Sequence, residues 1–436
     1  YPEMRFLQAQ PALLDLIQRE YPDIIKRIQT EVKTGRWEPN GGMWVEADCN
    51  LTSGESLVRQ FLEGRKKTRE LFDYTGDTLW LPDVFGYSAA LPQILHKCGI
   101  VNFVTSKINW NDTTRFPYDT FWWQGIDGTS VFTHFITCRM GGYNAEVGPE
   151  ISKNCWDNVQ QKELQDATLA SVGYGDGGGG VTREMCERAR RMNDLEGCIK
   201  TAFVNVSEFL ARLREQKVMR PRWVGELYLE IHRGTYTTQA RTKKYNRKLE
   251  LLLREIEFLS VQTMACGLRY PAKRLERLWR VLLTHQFHDI LPGSSIRRVY
   301  QDAEAAYAAV EKELGQIKRK ALKTLADLKG KNESIVILGD MLELGGETER
   351  LHEEVGRTVA DTGVGILFLK GDFSDAVARG AVERGFGEDR IHFAETPDTV
   401  MAVLRRLVRE EDWILIKGSR RMKMEEFLYA ILEEFG

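Results

Sequence analysis

The chain has little with which to cross a bilayer, grip nucleic acid or staple itself with disulfides. None of its apolar runs reaches the roughly 18 residues a membrane-spanning helix needs. Its formal charge of −2 over 436 residues argues against a general nucleic-acid binder. Its seven cysteines (49, 98, 138, 155, 186, 198 and 266) are odd in number and scattered, without a C-x-x-C pair. That usage predicts free thiols in a reducing, cytoplasmic setting rather than a disulfide framework. No tandem repeat occurs, and the one low-complexity patch is the glycine run 177–180. Tyr1 rather than Met stands first, so the sequence reads as trimmed at its start, where a targeting signal would not be visible. What remains is an ordinary soluble composition and a length sufficient for two or three domains.

One stretch organises the rest. Residues 78–81 form an apolar run that predicts a buried strand; Pro82 ends it and Asp83 follows at once. Gly86 then turns the chain into an amphipathic segment, 89–98, that reads as a helix. Asp83 therefore stands where a strand hands over to a loop, the place where α/β sheets and barrels carry chemistry. A helix-capping or turn acid fits the same spacing equally well.

Upstream, residues 1–40 alternate short strand-like and helical stretches. In 41–50, a period of two sets Glu46, Asp48 and Asn50 on one face with Trp44 in line. Three polar groups beside an indole suit a sugar, and an exposed strand face is the plain alternative. Downstream, 100–106 reads as a strand with Lys107, Asn109 and Trp110 just past its end. The strand 131–137 carries His134, which reads as a core histidine, and the loop Gly141-Gly142-Tyr143-Asn144 follows. The alternation predicts an α/β parallel sheet, open or closed. Gly173, Gly175 and Gly178 satisfy G-x-G-x-x-G, yet residues 156–170 before them read as a helix, the wrong context for a dinucleotide fingerprint. Glycines around Asp176 instead let backbone approach a ligand closely. Residues 223–231 read as a strand ending at His232-Arg233-Gly234-Thr235-Tyr236. Three long helical patterns follow, 243–265, 272–288 and 295–328, the second closing on His288-Asp289 before Pro292-Gly293.

Four of these segments, LWLPDVFGYSAALPQIL around Asp83, GDGGGG around Asp176, HRGTYT from His232 and Q-x-H-D at His288, resemble glycoside hydrolase family 38, the zinc-dependent α-mannosidases. The resemblance implies an α-mannoside substrate and a barrel-like catalytic domain of seven strands followed by a three-helix bundle. It implies Asp83 as nucleophile and zinc ligand, Asp176 as general acid/base, and His288 as a second zinc ligand. Asp289, Trp44, Asp48, Tyr143, Asn144, His232 and Tyr236 would border the sugar. A retaining mechanism would set the two carboxyl groups about 5–6 Å apart. The family draws two more zinc ligands from an H-x-D-x-x-W motif on its first strand, and no such motif occurs here. The barrel and the zinc site are thus expected to be incomplete, with weak zinc binding and little hydrolysis.

Past 329–332 the pattern changes. Strands at 335–338, 365–369, 391–393 and 413–416 alternate with helices, which predicts a small doubly wound α/β unit. The words LGDMLELG, LHEEVG and ILIKGSRRMKME resemble the C-terminal domain of the Mur ligases that add the terminal dipeptide in peptidoglycan synthesis, with Arg421 standing where that family usually has glycine. Asp340 and Lys417, at strand ends, are its weak site candidates. No phosphate-binding G-K-[ST] loop is present. The expected division is 1–235 catalytic, 236–330 helical and 331–436 ligase-like, a fusion of two families in a bacterial, cytoplasmic setting. A ligase-type fragment and a non-catalytic fusion are the competing functional readings.

Overall fold

The computed structural model describes residues 1–176, 178–329, 332–341, 347–410 and 412–436. It forms two compact units: residues 1–260 with 270–318, and residues 261–269 with 319–436. Gly177 of the glycine loop and 342–346 of the ligase-like LGDMLELG lie outside the described residues.

In the first unit, β1 (Phe6–Leu7) and β2 (Trp37–Glu38) make a parallel pair. A second sheet holds β3 (Thr78–Trp80), β4 (Asn102–Thr105), β5 (Thr120–Gln124), β6 (Ser130–Phe135) and β7 (Arg222–Val224), in the order β3-β4-β6-β5-β7. Its pairs are parallel except β5 with β6, which form a hairpin. The fold is mixed α/β as expected, and where an incomplete seven-stranded, barrel-like domain was expected its strands fall into a two-stranded and a five-stranded sheet. The step from β2 to β3 is made by a side chain rather than a ladder: Asn40 accepts from the Thr78 amide at 3.3 Å and donates to Asp77 at 3.4 Å. The expected strand 223–231 stops at Val224, because Gly225 takes a φ of 120° and turns the chain.

The helices Ala240–Met264, Ala272–Thr284 and Arg297–Lys329 follow. Within the first unit, Leu253, Trp279, Leu282 and Tyr307 share one apolar core with Leu79, Phe103 and Trp123 of the sheet. The middle helix ends at Thr284, four residues short of its expected end at His288. The segment before Gly173 is helical only over Pro149–Asp157, with a single bridge at Val172, so a strand still does not introduce the glycines.

One cysteine expectation fails. Cys138 and Cys155 form a disulfide, Cα atoms 4.0 Å apart, while the other five stay free. The residue past β6 and the helix Pro149–Asp157 meet in one apolar cluster, a proximity that sequence spacing does not reveal. His134 is fully buried, as expected of a core histidine. Its Nδ1 lies 2.8 Å from the Thr120 hydroxyl, which donates to Gln165 at 2.6 Å, and Nε2 has no partner among the described residues.

The second unit is a parallel sheet of β8 (Ser334–Gly339), β9 (Ile366–Lys370), β10 (Ile391–Phe393) and β11 (Trp413–Lys417), ordered β10-β9-β8-β11. Val336, Leu367 and Leu369 pack on helices Thr348–Asp361 and Ser374–Glu383. Ile335, Ile337 and Phe368 pack on Pro397–Leu407 and Glu425–Phe435. Helices on both faces make it doubly wound. The first two of these helices touch backbone to backbone: a Cβ on Gly356 would meet the Val377 carbonyl at 1.9 Å, and one on Gly380 the Glu353 carbonyl at 2.0 Å.

Two outcomes follow from this packing. Gly356→Ala or Gly380→Ala should cost about 1–3 kcal/mol by overpacking; amide exchange in β9 should quicken while β4 is unaffected, and an unchanged β9 would refute the close crossing. Burial pulls the His134 imidazole down to about 3, with Arg220 adding to the effect. Between pH 6.5 and that value the unfolded chain carries a proton on this residue that the folded chain lacks. Stability should therefore fall with falling pH across the window, by at most about 1.4 kcal/mol per pH unit from this group. Denaturant titrations of wild type and His134→Gln should differ in that slope; parallel slopes would contradict it.

Candidate active site

Asp83 is placed by the end of β3. Leu79 and Leu81 are fully buried, and the Pro82 carbonyl accepts from the Ser106 hydroxyl at 2.7 Å and its amide at 3.3 Å. That pins the Pro82–Asp83 peptide to the end of the neighbouring strand, β4. One residue on, Lys107 is carried alongside, and its Nζ pairs with Asp83 Oδ1. The ammonium is buried; it lies 4.3 Å from the Trp110 ring centre and 5.2 Å from that of Phe85.

His288 reaches the same point from the turn after helix Ala272–Thr284. Its backbone N–H and its Nδ1 both address the Glu46 carbonyl, at 3.1 and 3.0 Å. A carbonyl only accepts, so Nδ1 carries the hydrogen and Nε2 points onward. Nε2 lies 3.3 Å from Asp83 Oδ2 and 3.9 Å from Asp289 Oδ2. Burial pushes the Asp83 carboxyl up, but His288 and Lys107 together outweigh it and hold the group below its ordinary value. Burial pulls His288 down, and Asp83 and Glu46 more than offset that, leaving it raised.

Asp83, His288 and Asp289 each offer one ligand atom, all within 4.8 Å of one another. The set fits a divalent cation such as zinc: one imidazole nitrogen and two carboxylate oxygens, with the histidine's other nitrogen held by a carbonyl. Lys107 takes only Oδ1 of Asp83 and leaves Oδ2 turned toward the imidazole.

The loops bring in the second acid. Asn144 brackets Asp176, donating from Nδ2 to its carboxylate at 2.6 Å and accepting from its amide at 3.1 Å. Gly175 must lack a side chain here, since a Cβ would come within 2.5 Å of Asn144 Oδ1. The Tyr143 hydroxyl donates to Asp176 at 3.2 Å. Burial and then both acids, Asp83 and Asp176, push that phenol well up, so one hydroxyl faces the two carboxylates. Asp83 and His288, 205 positions apart in the sequence, thus stand side by side, and Tyr143, bonded to Asp176, lies near enough to Asp83 to feel its charge.

His232 borders the pocket through Phe85, their rings edge to face at 4.9 Å, and Phe85 stands likewise 5.9 Å from His288. Tyr236 accepts from Asn50 Nδ2 at 3.3 Å, and Asn50 also donates to the Phe85 carbonyl at 3.2 Å. Trp44 and Asp48 were expected to border the sugar. Both are buried. The Trp44 indole donates to Thr284 at 2.9 Å, and Asp48 accepts the Asn50 and Leu51 amides at 3.0 and 2.6 Å, closing a turn. Residues 41–50 are not a strand with an open face; bridges Ala47–Phe287 and Cys49–Tyr87 tie them into the interior. Asp289, expected to contact only sugar, sits as a third possible metal ligand.

Glu46, read from sequence as part of a polar face suited to a sugar, and Lys107, noted only as lying past a strand end, both stand beside Asp83 and His288. The Glu46 carboxyl, raised to about 7 by burial, with His288 opposing and Asp83 adding, comes within 4.0 Å of His288 Nδ1. The strand end beside Asp83 was the available signal for Lys107. In the second unit, the buried Asp340 carboxylate accepts the Asp372 and Phe373 amides at 2.8 and 3.2 Å and so holds the turn that leads into helix Ser374–Glu383. Lys417 is exposed at the end of β11.

Residues 1–226 match the model of the glycosyl hydrolases family 38 N-terminal domain, 230–325 the alpha mannosidase middle domain, and 317–420 the Mur ligase, glutamate ligase domain. Alpha-mannosidase 2C1 of Homo sapiens is 41% identical over 70% of this chain and 29% of its own length. The UDP-N-acetylmuramoyl-tripeptide–D-alanyl-D-alanine ligase of Bacillus subtilis is 34% identical over 26% of this chain and 24% of its own length. An alpha-mannosidase structure from Enterococcus faecalis V583 shares the fold with a TM-score of 0.65 at 19% identity, over 74% of this chain and 38% of that one. The chain thus spans under a third of the length of the mannosidase relative it matches. It belongs to glycosyl hydrolase family 38, and carries a Mur ligase C-terminal domain behind the mannosidase part.

Proposed function

We propose that the first unit is the catalytic part of a retaining, zinc-dependent α-mannosidase that cleaves terminal α-mannosides. The observation that carries this reading is the cluster in which His288 Nε2 stands 3.3 Å from Asp83 Oδ2 and 3.9 Å from Asp289 Oδ2, with Tyr143, bonded to Asp176, beside it. Two carboxyl groups of different environment are what a double displacement needs. Asp83, kept ionised by Lys107 and His288, attacks the anomeric carbon and forms a glycosyl-enzyme. Asp176, on its glycine loop, protonates the leaving oxygen and afterwards takes a proton from the attacking water. Tyr143 and Asn144 hold Asp176, and His232 and Tyr236 bound the sugar. Zinc, held by Asp83, His288 and Asp289, would bind sugar hydroxyls and favour ring distortion.

Among the described residues the donors are three, and the H-x-D-x-x-W motif from which the family draws two zinc ligands is absent from the sequence. We infer weak zinc binding and slow turnover for this polypeptide. The division at about 235 and 330 is proposed in the same spirit; family boundaries near 226–230 and 317–325 support it. The ligase-like part spans about a quarter of its ligase relative and has no G-K-[ST] loop, so the chemistry is assigned to the first unit.

Hydrolysis of a nitrophenyl α-mannoside should be detectable only with added zinc, and far below that of an intact family member. Asp83→Asn should remove it, and Asp176→Asn should lower it by about 100-fold or more. Turnover that survives Asp83→Asn would sink the nucleophile assignment; robust turnover by the wild type would sink the inference of an impaired site.

A further inference from the structure

Among the described residues the sheet of the second unit ends on one side at β11, which pairs there only with β8. The Trp413 amide donates to the Glu333 carbonyl and the Ser419 amide to the Asp340 carbonyl, each at 3.0 Å. Odd-numbered residues of this strand thus turn their backbone groups inward, and Ile414 and Ile416 turn theirs to the open edge. The side chains alternate as well. Ile414 and Ile416 pack with helix Glu425–Phe435, whereas Trp413 is 42% and Leu415 55% exposed on the other face. That helix also presents Leu428, Tyr429 and Leu432 to solvent, the tyrosine at 66%. A flat, apolar, unpaired edge of this kind is a template for another strand.

The charges say which strand. Glu410 and Asp412 precede the apolar run, and Lys417, Arg421 and Lys423 follow it. The run is self-complementary in net charge when antiparallel: the acidic end, 410–412, of one copy lies toward the basic end, 417–423, of the other, whereas parallel pairing would set like against like. We propose that β11 pairs antiparallel with β11 of a second copy of this chain, with Leu415 on the two-fold axis. Ile414 and Ile416 then exchange about four backbone hydrogen bonds with Ile416 and Ile414 of the second copy. Trp413 lies across from the second copy's Lys417, an indole beside an ammonium. A two-fold axis normal to the sheet keeps the faces matched and puts both copies of helix Glu425–Phe435 on the same side, closing an isologous interface. The proposal is independent of the glycosidase reading, since no residue of the first unit enters it.

Sedimentation velocity of the full chain from about 1 to 100 μM tests it, with amide exchange on the same samples. The expected species has twice the chain mass, and the Ile414 and Ile416 amides are slow to exchange. Leu415→Lys sets two ammonium groups together at the axis and should weaken the dimer by at least about 100-fold. In that variant the two amides should become fast while β8 and β9 stay protected, which shows that the unit still folds. Trp413→Glu faces the second copy's Lys417 and should keep dimerisation within about tenfold of wild type. A wild-type monomer at every concentration overturns the proposal. So do open-ended aggregates, a dimer indifferent to Leu415→Lys, and equal loss in both variants, which would mean mere apolar adhesion.

Discussion

The Glu46 carbonyl is the contact on which the pocket depends. It receives the backbone N–H and the Nδ1 of His288, and so sets where the imidazole stands and which nitrogen it offers. That carbonyl is itself held from behind. Gln60, buried in helix Gly54–Phe72, accepts from the Val45 amide at 3.1 Å and donates to the Leu283 carbonyl at 2.9 Å. Gln286 is bound to Gln60, Asn246 and Glu250. A buried amide network of this kind leaves polar groups unmatched if any element shifts. It fixes the turn after helix Ala272–Thr284 against the 41–50 segment, and thereby His288 against Asp83. The helical region thus completes a site whose other half lies at the end of a sheet strand.

Electrostatics then divides the labour between two acids. Asp83 stands between a buried ammonium and a buried imidazole, which keep it charged despite its own burial. Asp176 sits on an exposed glycine loop, held by hydrogen bonds from Asn144 and Tyr143 and paired with no cation among the described residues. The phenol between them is the physical link that makes the two acids one site.

What could be read from sequence follows from what each segment's environment demands. The place of Asp83 just past a buried strand was legible from the apolar run and Pro82, while the spacing left a turn acid equally open and only the wording around it pointed to a site. His288 was legible through its wording, although its helix ends at Thr284. The alternation of strands and helices past residue 334 was legible for the same reason as the site: doubly covered strands are continuous apolar runs. The open strand face expected over 41–50 is absent because bridges to Tyr87 and Phe287 bury the segment, a tertiary contact that a period of two does not reveal. The antiparallel β5–β6 hairpin had a local sign in Asp127-Gly128, with Gly128 at a φ of 84°, that the alternation pattern outweighed. The Cys138–Cys155 bond had none, because the two residues meet only after β6 and a helix have packed together.

The central claim is that Asp83, His288 and Asp289 form one cation-binding centre. Diffraction from zinc-soaked crystals, recorded on both sides of the zinc absorption edge, tests it most directly. The account predicts an anomalous peak within bonding distance of His288 Nε2, Asp83 Oδ2 and Asp289 Oδ2, and its loss in His288→Ala. A pocket without zinc density at saturating metal, or a peak that persists in His288→Ala, would contradict it.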